Sequence, residues 1–379
     1  MSTQVHVPSG FIHLGIGQPS HDLLPAHLFQ AGMATTHNLA YGEQAGAQTM
    51  RNSLSTWLSH EYSLPVDPQH LMITNGSSNA LDMICSEFTA KGDVVLVEDP
   101  TYFIARELFA SHGLQVLSVP MNNHGVDIEA LETLIKRHNP AFFYCIPAFQ
   151  NPTSLCYSNK TRERLVALAK QYDCLVVADE VYQQLYFYDN KPSRPLAMVD
   201  AQAPVLSIGT FSKILAPGLR LGWLHSMHDA LNRLINSALL KSGGGLAPMT
   251  SAWVEPLIDN GEFESHLQKL KVIYAQRCNV MCAAIKQHFP SSIVMNEPQG
   301  GYFIWMKLNL DTKDSERVEN QMKTLRSEAQ NVGVDFMPGS LFSNSPHMHD
   351  CIRLCFAFYK EEKLEEGIPR LGKVIKTTL

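Results

Sequence analysis

The stretch Val205-Leu206-Ser207-Ile208-Gly209-Thr210-Phe211-Ser212-Lys213-Ile214-Leu215-Ala216-Pro217-Gly218-Leu219-Arg220-Leu221-Gly222-Trp223-Leu224 reads as two strands around a polar loop. Val205–Ile208 and Arg220–Leu224 are the strands. Between them lie hydroxyls, a lysine and a Pro-Gly turn. The same grammar extends upstream, with strands predicted at Leu71–Thr74, Val94–Val97, Gln115–Val119 (ending at Pro120), Ala141–Ile146 and Leu175–Ala178. Helices alternate with them. Leu81, Ile84, Cys85 and Phe88 recur at helical spacing, Asp127 can cap a helix carrying Ile128, Leu131, Leu134 and Ile135, and Leu165, Leu168, Ala169 and Tyr172 mark another. A further helix is expected at Ala230–Leu240. Continuous apolar strands alternating with helices predict an α/β fold: a mainly parallel sheet covered on both faces.

After the Gly-rich stretch Ser242–Pro248, which reads as a hinge or boundary, the pattern changes. A long helix near Glu262–Phe289, strands near Tyr302–Leu308 and Ile352–Phe358, and a helix near Glu316–Val332 predict a smaller α+β domain. The expected division is an N-terminal segment 1–45, a large domain 46–245 and a small domain 246–379.

The chain has 379 residues, 45% hydrophobic and only 17% charged, so it has ample material for a large core. A net charge of −6 without a basic block argues against nucleic-acid binding. No apolar run reaches the roughly 18–20 residues of a membrane helix. Met1 to Gly10 has no Lys or Arg and no apolar run, which does not read as a secretory signal, so a cytoplasmic enzyme is expected. The eight cysteines mostly sit in apolar runs. Cys278/Cys282 and Cys351/Cys355 are spaced too widely for CxxC zinc pairs, and no metal is expected.

Ligands bind at the carboxyl ends of strands in such sheets. Here those ends carry Asn75-Gly76-Ser77-Ser78, Glu98-Asp99-Pro100-Thr101-Tyr102, Asn151-Pro152-Thr153, Asp179-Glu180-Val181-Tyr182 and Gly209 to Lys213. Gly76-Ser77-Ser78 opens a helix whose free N–H groups suit a phosphate, although an ordinary serine cap has the same sequence. Thr210, Ser212 and Arg220 add hydroxyls and a fixed cation. Asp179 ends an apolar strand, where a carboxylate needs a cationic partner, either a structural ion pair or a protonated ring nitrogen. Lys213, if desolvated rather than on the surface, becomes a nucleophile toward carbonyls. Tyr102 can stack on a flat ring or simply pack in the core. Taken together these groups specify pyridoxal 5′-phosphate.

Thr210-Phe211-Ser212-Lys213 through Arg220-Leu221-Gly222 resembles the cofactor-lysine motif of the class I/II pyridoxal-phosphate aminotransferases, and the resemblance is collinear from about Leu14 to Phe358. It implies that Lys213 forms the imine with the cofactor and shuttles the proton. Asp179 is the implied partner of the pyridine nitrogen. Tyr182 and Asn151 bond the ring oxygen, and Tyr102 stacks. Gly76, Ser77, Ser78, Thr210, Ser212 and Arg220 form the phosphate cradle. Tyr41 reaches the phosphate of the other subunit of a homodimer. Arg353 clamps the substrate α-carboxylate. The segment around Gly17-Gln18-Pro19-Ser20-His21 folds over the substrate. Ser154 stands where glycine is usual, and Asn79 where glutamine is frequent. Gly243-Gly244-Gly245 resembles a loop of the branch holding aminoadipate-type aminotransferases and regulator effector domains. The chain starts directly with the enzyme portion, which argues against a regulator.

Arg353 also stands out on its own pattern. In a strand it shares a face with Cys351, Cys355 and Ala357, so it needs an anion, either a ligand or a nearby carboxylate. The expected function is transfer of an amino group from an L-amino acid to a 2-oxo acid. A β-eliminating lyase is the alternative on the same residues, and a non-catalytic binding protein is opposed by Asp179 and Lys213 occurring together. Residues 1–50 contain no Lys or Arg, so a distal carboxylate lacks a bidentate partner there. Neutral donors, apolar or aromatic, are expected over aspartate, with His21 and Arg106 the groups able to reverse this.

Overall fold

The computed structural model describes residues 7–29, 41–310 and 314–378. In chain order the first elements are β1 (Ile12–His13), α1 (Gln48–Tyr62), β2 (Leu71–Thr74), α2 (Ser77–Phe88), β3 (Val94–Asp99) and α3 (Phe103–Ser111). Next come β4 (Gln115–Asn122), β5 (Gly125–Val126), α4 (Ile128–His138), β6 (Phe142–Cys145), α5 (Asn159–Tyr172), β7 (Leu175–Asp179), β8 (Val205–Thr210) and β9 (Gly222–His225). The rest are α6 (Ala230–Ile235), α7 (Ala238–Gly243), α8 (Pro248–Asp259), α9 (Glu262–His288), β10 (Val294–Met295), β11 (Phe303–Lys307), α10 (Ser315–Asn331), β12 (Val334–Asp335), β13 (Met337–Pro338), β14 (Cys351–Cys355) and α11 (Glu361–Thr378).

The large sheet has the order β2-β9-β8-β7-β6-β3-β4-β5. Its centre, from β4 through β3, β6 and β7 to β8, is parallel. Strand β9 runs antiparallel to both β8 and β2, and β5 closes a hairpin on β4. The sheet separates two apolar layers, and alternate residues of each strand feed opposite ones. Val95, Val97, Phe142, Tyr144 and Val177 join one cluster, whereas Leu96, Phe143, Cys145, Val176 and Ala178 join the other with α4 and α5. Burial on both faces is why these strands read as unbroken apolar runs. A four-stranded antiparallel sheet, β10-β11-β14-β13, forms the smaller α+β domain, and β1 pairs in parallel with β12. Among the described residues no helix is long and apolar enough to cross a membrane.

Several local readings differ from the structure. Strand β4 continues through Pro120 to Asn122, because β5 pairs only beyond the proline, at Met121 and Asn122. The helix expected at Ala230–Leu240 breaks into α6 and α7, with Ser237 extended at ψ 154° between them. Strand β14 stops at Cys355, although Phe356 still donates its N–H to the Tyr302 carbonyl at 3.1 Å, and Phe358 lies beyond the ladder. Ser242–Pro248 is a close-packed crossing: Gly244 adopts φ +74°, and Gly245 donates its N–H to Gly42. A Cβ on Gly245 would lie 1.9 Å from the Glu43 carbonyl oxygen, backbone that cannot swing aside. Gly245→Ala should therefore cost about 1–3 kcal/mol of stability in urea unfolding. An unchanged midpoint would show that the 42–46 segment yields freely.

Candidate active site

Topology brings the polar strand ends together. Because β9 is antiparallel to both β8 and β2, β2 points the same way as β8 and the parallel strands. The carboxyl ends of β2, β3, β6, β7 and β8 therefore share one edge, the crevice where such sheets bind ligands.

One end of that edge is cationic. Gly76, at φ +84°, caps α2, and a Cβ there would meet the Arg220 Nη2 at 3.0 Å. Glycine thus lets the guanidinium lie against the helix N-terminus. Arg220 itself is left-handed, at φ +47°, and its Nη1 donates to the Pro217 carbonyl at 3.2 Å and approaches the Ser212 hydroxyl at 3.5 Å. Thr210 Oγ1 donates to the Ser212 Oγ at 3.1 Å and accepts the Ser212 N–H at 3.2 Å. Among the described residues no carboxylate pairs with Arg220. A helix N-terminus, hydroxyls and an unpaired guanidinium in one corner fit a phosphate. Ser77 is half-buried and Ser78 exposed.

Asp179 ends β7 with its carboxylate buried. Oδ2 accepts the Tyr144 hydroxyl at 2.7 Å, while Oδ1 is buried without a partner. Burial pushes Asp179 up to about 6, against the opposing effects of the Tyr144 bond and the Lys213 charge. An unpaired carboxylate oxygen at this edge fits a protonated ring nitrogen. Lys213 Nζ donates to the Gly17 carbonyl at 3.1 Å and lies 5.6 Å and 5.9 Å from the ring centroids of Tyr302 and Tyr182. Desolvation lowers it to about 8, as an amine that must act unprotonated requires. Burial likewise raises Tyr102, the residue before α3, to about 12, with the Asp179 charge next in effect.

Arg353, on β14, is 4% exposed. Nη1 donates to Asn151 Oδ1 and Nη2 to the Gly15 carbonyl, both at 2.8 Å, and Nε has no partner. Phe303 and Phe342 cover the guanidinium at 4.1 Å and 4.9 Å. Among the described residues no carboxylate pairs with it, which leaves an external anion as its counter-charge. Gly17 lies beside this group: a Cβ there would be 3.7 Å from Nη2 and 3.0 Å from the Phe303 ring.

Contacts and mutual charges thus link Lys213, Asp179, Tyr182, Tyr102, Asn151, Gly17 and Arg353, and the charge of Arg220, beside Gly76 and Ser212, reaches Lys213 and Tyr102. Tyr41 stands apart, 89% exposed. Sequence reasoning missed Tyr144, Tyr302, Phe303 and Phe342, and took His13 only as a polar group of the N-terminal segment. A tyrosine inside the buried run Phe142-Phe143-Tyr144-Cys145 was the available signal, since its hydroxyl needs a partner. Ser154 adopts φ +58° and donates its hydroxyl to the Phe303 carbonyl at 2.5 Å, so the glycine position carries a strained but tethered serine. Tyr144→Phe removes the donor that lowers Asp179. Its carboxyl should then titrate above 6, by about one pH unit, in difference infrared spectra of the apoenzyme. An unmoved titration would mean that the bond does not bear on Asp179.

Comparisons with known proteins show the family and the fold. A sequence model of the family "Aminotransferase class I and II" matches residues 9–371. Aromatic-amino-acid aminotransferase 1 of Thermococcus litoralis is 31% identical, over 95% of this chain and 84% of its own. The kynurenine aminotransferase of Pyrococcus horikoshii, solved in complex with PMP, superimposes with a TM-score of 0.87 at 29% identity, covering 98% of this chain and 92% of that one. The α-aminoadipate aminotransferase of Thermus thermophilus, complexed with N-(5′-phosphopyridoxyl)-L-leucine, gives 0.85 at 29%, covering 100% and 95%.

Proposed function

The chain belongs to the class I and II aminotransferases and is a pyridoxal-phosphate-dependent aminotransferase; on that premise we propose that Lys213 carries the cofactor and moves the proton, between a phosphate site at Arg220 and a carboxylate site at Arg353. The observation that carries this reading is the unpaired Asp179 Oδ1 at the same strand edge as the desolvated Lys213.

Gly76, Ser77, Ser78, Thr210, Ser212 and Arg220 would hold the phosphate, Asp179 the ring nitrogen, Tyr182 and Asn151 the ring oxygen, and Tyr102 the ring face. When bound, pyridoxal phosphate supplies an electron sink for the pair left at Cα and a store for the amino group between the two half-reactions. Arg353 binds the α-carboxylate of the incoming amino acid, and its bond to Asn151 orients the fork. Lys213 Nζ, as a free unprotonated amine, would take the Cα proton of the bound amino acid and hold it for return to the ligand. Its lowered affinity for protons suits it to both steps. Asp179 keeps the ring nitrogen protonated. Gly17 and the segment through His21 cover the substrate and exclude water. The domain division at 45/46 and 245/246 belongs to the same reading, as does a cytoplasmic location, which suits eight free cysteines.

The active unit we propose is a homodimer in which Tyr41 of the partner subunit completes the phosphate cradle. In support, Tyr41 is exposed and its neighbour Gly42 is anchored on Gly245. Lys213→Ala should lose the visible absorption of the bound cofactor and all transfer. Mixed with an inactive Tyr41→Ala variant, it should regain part of the parental activity as subunits exchange. A borohydride-sensitive band persisting in Lys213→Ala would place the cofactor on another lysine, and a fully active monomer in light scattering would refute the shared site. Release of ammonia and pyruvate without a new amino acid would favour the lyase reading.

The donor we propose is neutral, apolar or aromatic. The carboxylate clamp is walled by Phe303 and Phe342, and Arg277 of α9, beside Ser20, donates Nη1 to Ser20 and the Ala357 carbonyl and faces the carboxylates of Asp22 at 3.9 Å and Glu361 at 4.0 Å, which offset its charge. His21 stands edge-on to Phe358. The relatives' names span aromatic amino acids, kynurenine and aminoadipate, which leaves the choice to this chain's own residues. The kcat/KM for leucine, methionine or phenylalanine should exceed that for aspartate by about tenfold or more, the discrimination expected of an uncompensated buried carboxylate. A preference for aspartate or aminoadipate would overturn it.

A further inference from the structure

His13 closes β1, and its ring folds forward over the turn that follows. Nδ1 accepts the Gly15 N–H at 3.1 Å. A Cβ on Gly15 would lie 2.9 Å from the imidazole Cε1 and 2.6 Å from Met337 Cγ, so the ring seats itself where only glycine leaves room. The carbonyl of this same Gly15 accepts Arg353 Nη2, and the Gly17 carbonyl accepts Lys213 Nζ. The run 15–17 therefore presents one acceptor to each of the two cations of the site. Its flanks are pinned by backbone: Leu14 N–H to Asp335, Ile16 N–H to His13, and the Leu14 carbonyl to Cys355 N–H. For Gly15 itself, the N–H is held by the imidazole.

We propose that His13 is a positioning residue for Arg353: with Nδ1 unprotonated it fixes Gly15, whose carbonyl aims the guanidinium at the substrate carboxylate, and protonation at Nδ1 releases that hold. The inference rests on the reading of Arg353 as the carboxylate clamp. An imidazolium carries hydrogen on both nitrogens and has no lone pair for the Gly15 N–H. The charged groups facing His13 come from three elements. Asp335, on β12, lies 3.8 Å from Nε2 and is itself held by Arg326 of α10 at 2.8 Å and 3.0 Å. Arg353 approaches from β14, and the Tyr359 hydroxyl accepts the His13 backbone N–H at 3.0 Å. Burial is the largest influence and lowers the imidazole. Asp335 opposes it, and Arg326 and Arg353 reinforce it, so His13 stays below its ordinary 6.5. The ring is then neutral at neutral pH. The hold on Gly15 is complete there and is lost as pH falls through the lowered value.

Asparagine places a carbonyl oxygen where Nδ1 sits and does not titrate, whereas leucine removes the acceptor. The test uses full-length, cofactor-loaded parent, His13→Asn, His13→Leu and Arg353→Lys, with 3-phenylpropanoate as a non-reacting carboxylate. Its dissociation constant is measured by calorimetry at pH 8 and pH 5. His13→Asn should bind within about twofold of the parent at pH 8 and lack part of the parent's weakening at pH 5. His13→Leu should bind about tenfold more weakly at pH 8, the equivalent of one hydrogen bond, with KM raised and kcat nearly kept. A pH 5 weakening in His13→Asn equal to the parent's overturns the inference, as does parental binding by His13→Leu. Should His13→Leu fail to fold, the asparagine comparison decides alone. Failure of the underlying reading looks different: Arg353→Lys binds as the parent does, or the parent itself does not bind the carboxylate.

Discussion

A buried guanidinium, Arg353, that meets no carboxylate among the described residues organises this molecule. Desolvating Arg353 is costly, and neutral oxygens offset that only in part. Those oxygens come from remote parts of the chain: the carbonyl of Gly15 in the N-terminal segment and the amide of Asn151 beyond β6. Arg353 itself belongs to the small sheet, in register between Trp305 on β11 and Met337 on β13. One side chain thus joins the covering segment, the large sheet's edge and the small domain. In the proposed reading, the remaining deficit of negative charge makes the site receptive to a carboxylate.

The aromatic residues around it serve the same end. Phe303 and Phe342 exclude water from the guanidinium, which strengthens any interaction with an anion that enters. Phe303 is in turn held through its carbonyl by Ser154, and Tyr302 donates to the carbonyl of Lys213 at 2.8 Å. The start of β11 is therefore fastened to the loop carrying Asn151 and to the loop carrying Lys213. Below that layer Glu98 accepts from the Ile146 N–H and from Gln150, anchoring the chain just ahead of Asn151. Its full burial raises it to about 7, the condition of a carboxyl serving structure by hydrogen bonding.

What was legible in the sequence follows from how each residue acts. The fold class showed because both-face burial writes uninterrupted apolar runs, and because glycine, serine and threonine at strand ends are visible one strand at a time. Lys213 and Asp179 showed because a charge next to such a run needs a reason. Arg353 showed for the same reason on β14, although the strand is shorter than its apolar pattern implied. Tyr144 did not show, and His13 showed only as a polar group of the N-terminal segment, without its hold on Gly15. Each acts through a partner remote in sequence, or through a ring angle set by a neighbouring glycine, and neither leaves a periodic trace. The break between α6 and α7 was equally silent, since the apolar spacing carries across Asn236-Ser237 while the backbone does not.

In the proposed reading the disposition of charge also sets which way round a ligand would sit. Arg220 and Arg353 are both unpaired by carboxylates, yet they are supported differently. Arg220 is exposed, beside hydroxyls and the N-terminus of α2, an arrangement of many donors that suits a doubly charged, three-oxygen anion. Arg353 is buried, walled by rings, and offers a fork whose two terminal nitrogens are already oriented by Asn151 and the Gly15 carbonyl, an arrangement that suits a planar carboxylate. Lys213 and Asp179 belong to the same gathering of side chains and are of opposite sign. Each sees the other's charge, and desolvation shifts both toward neutrality. In the proposed reading, a ligand pair with a phosphate at one end, a carboxylate at the other and a protonated nitrogen in between would give Arg220, Arg353 and the Asp179 oxygen each a partner. Reversing it would bring a large dianion into the narrow dry clamp and leave the Asp179 oxygen without its proton donor.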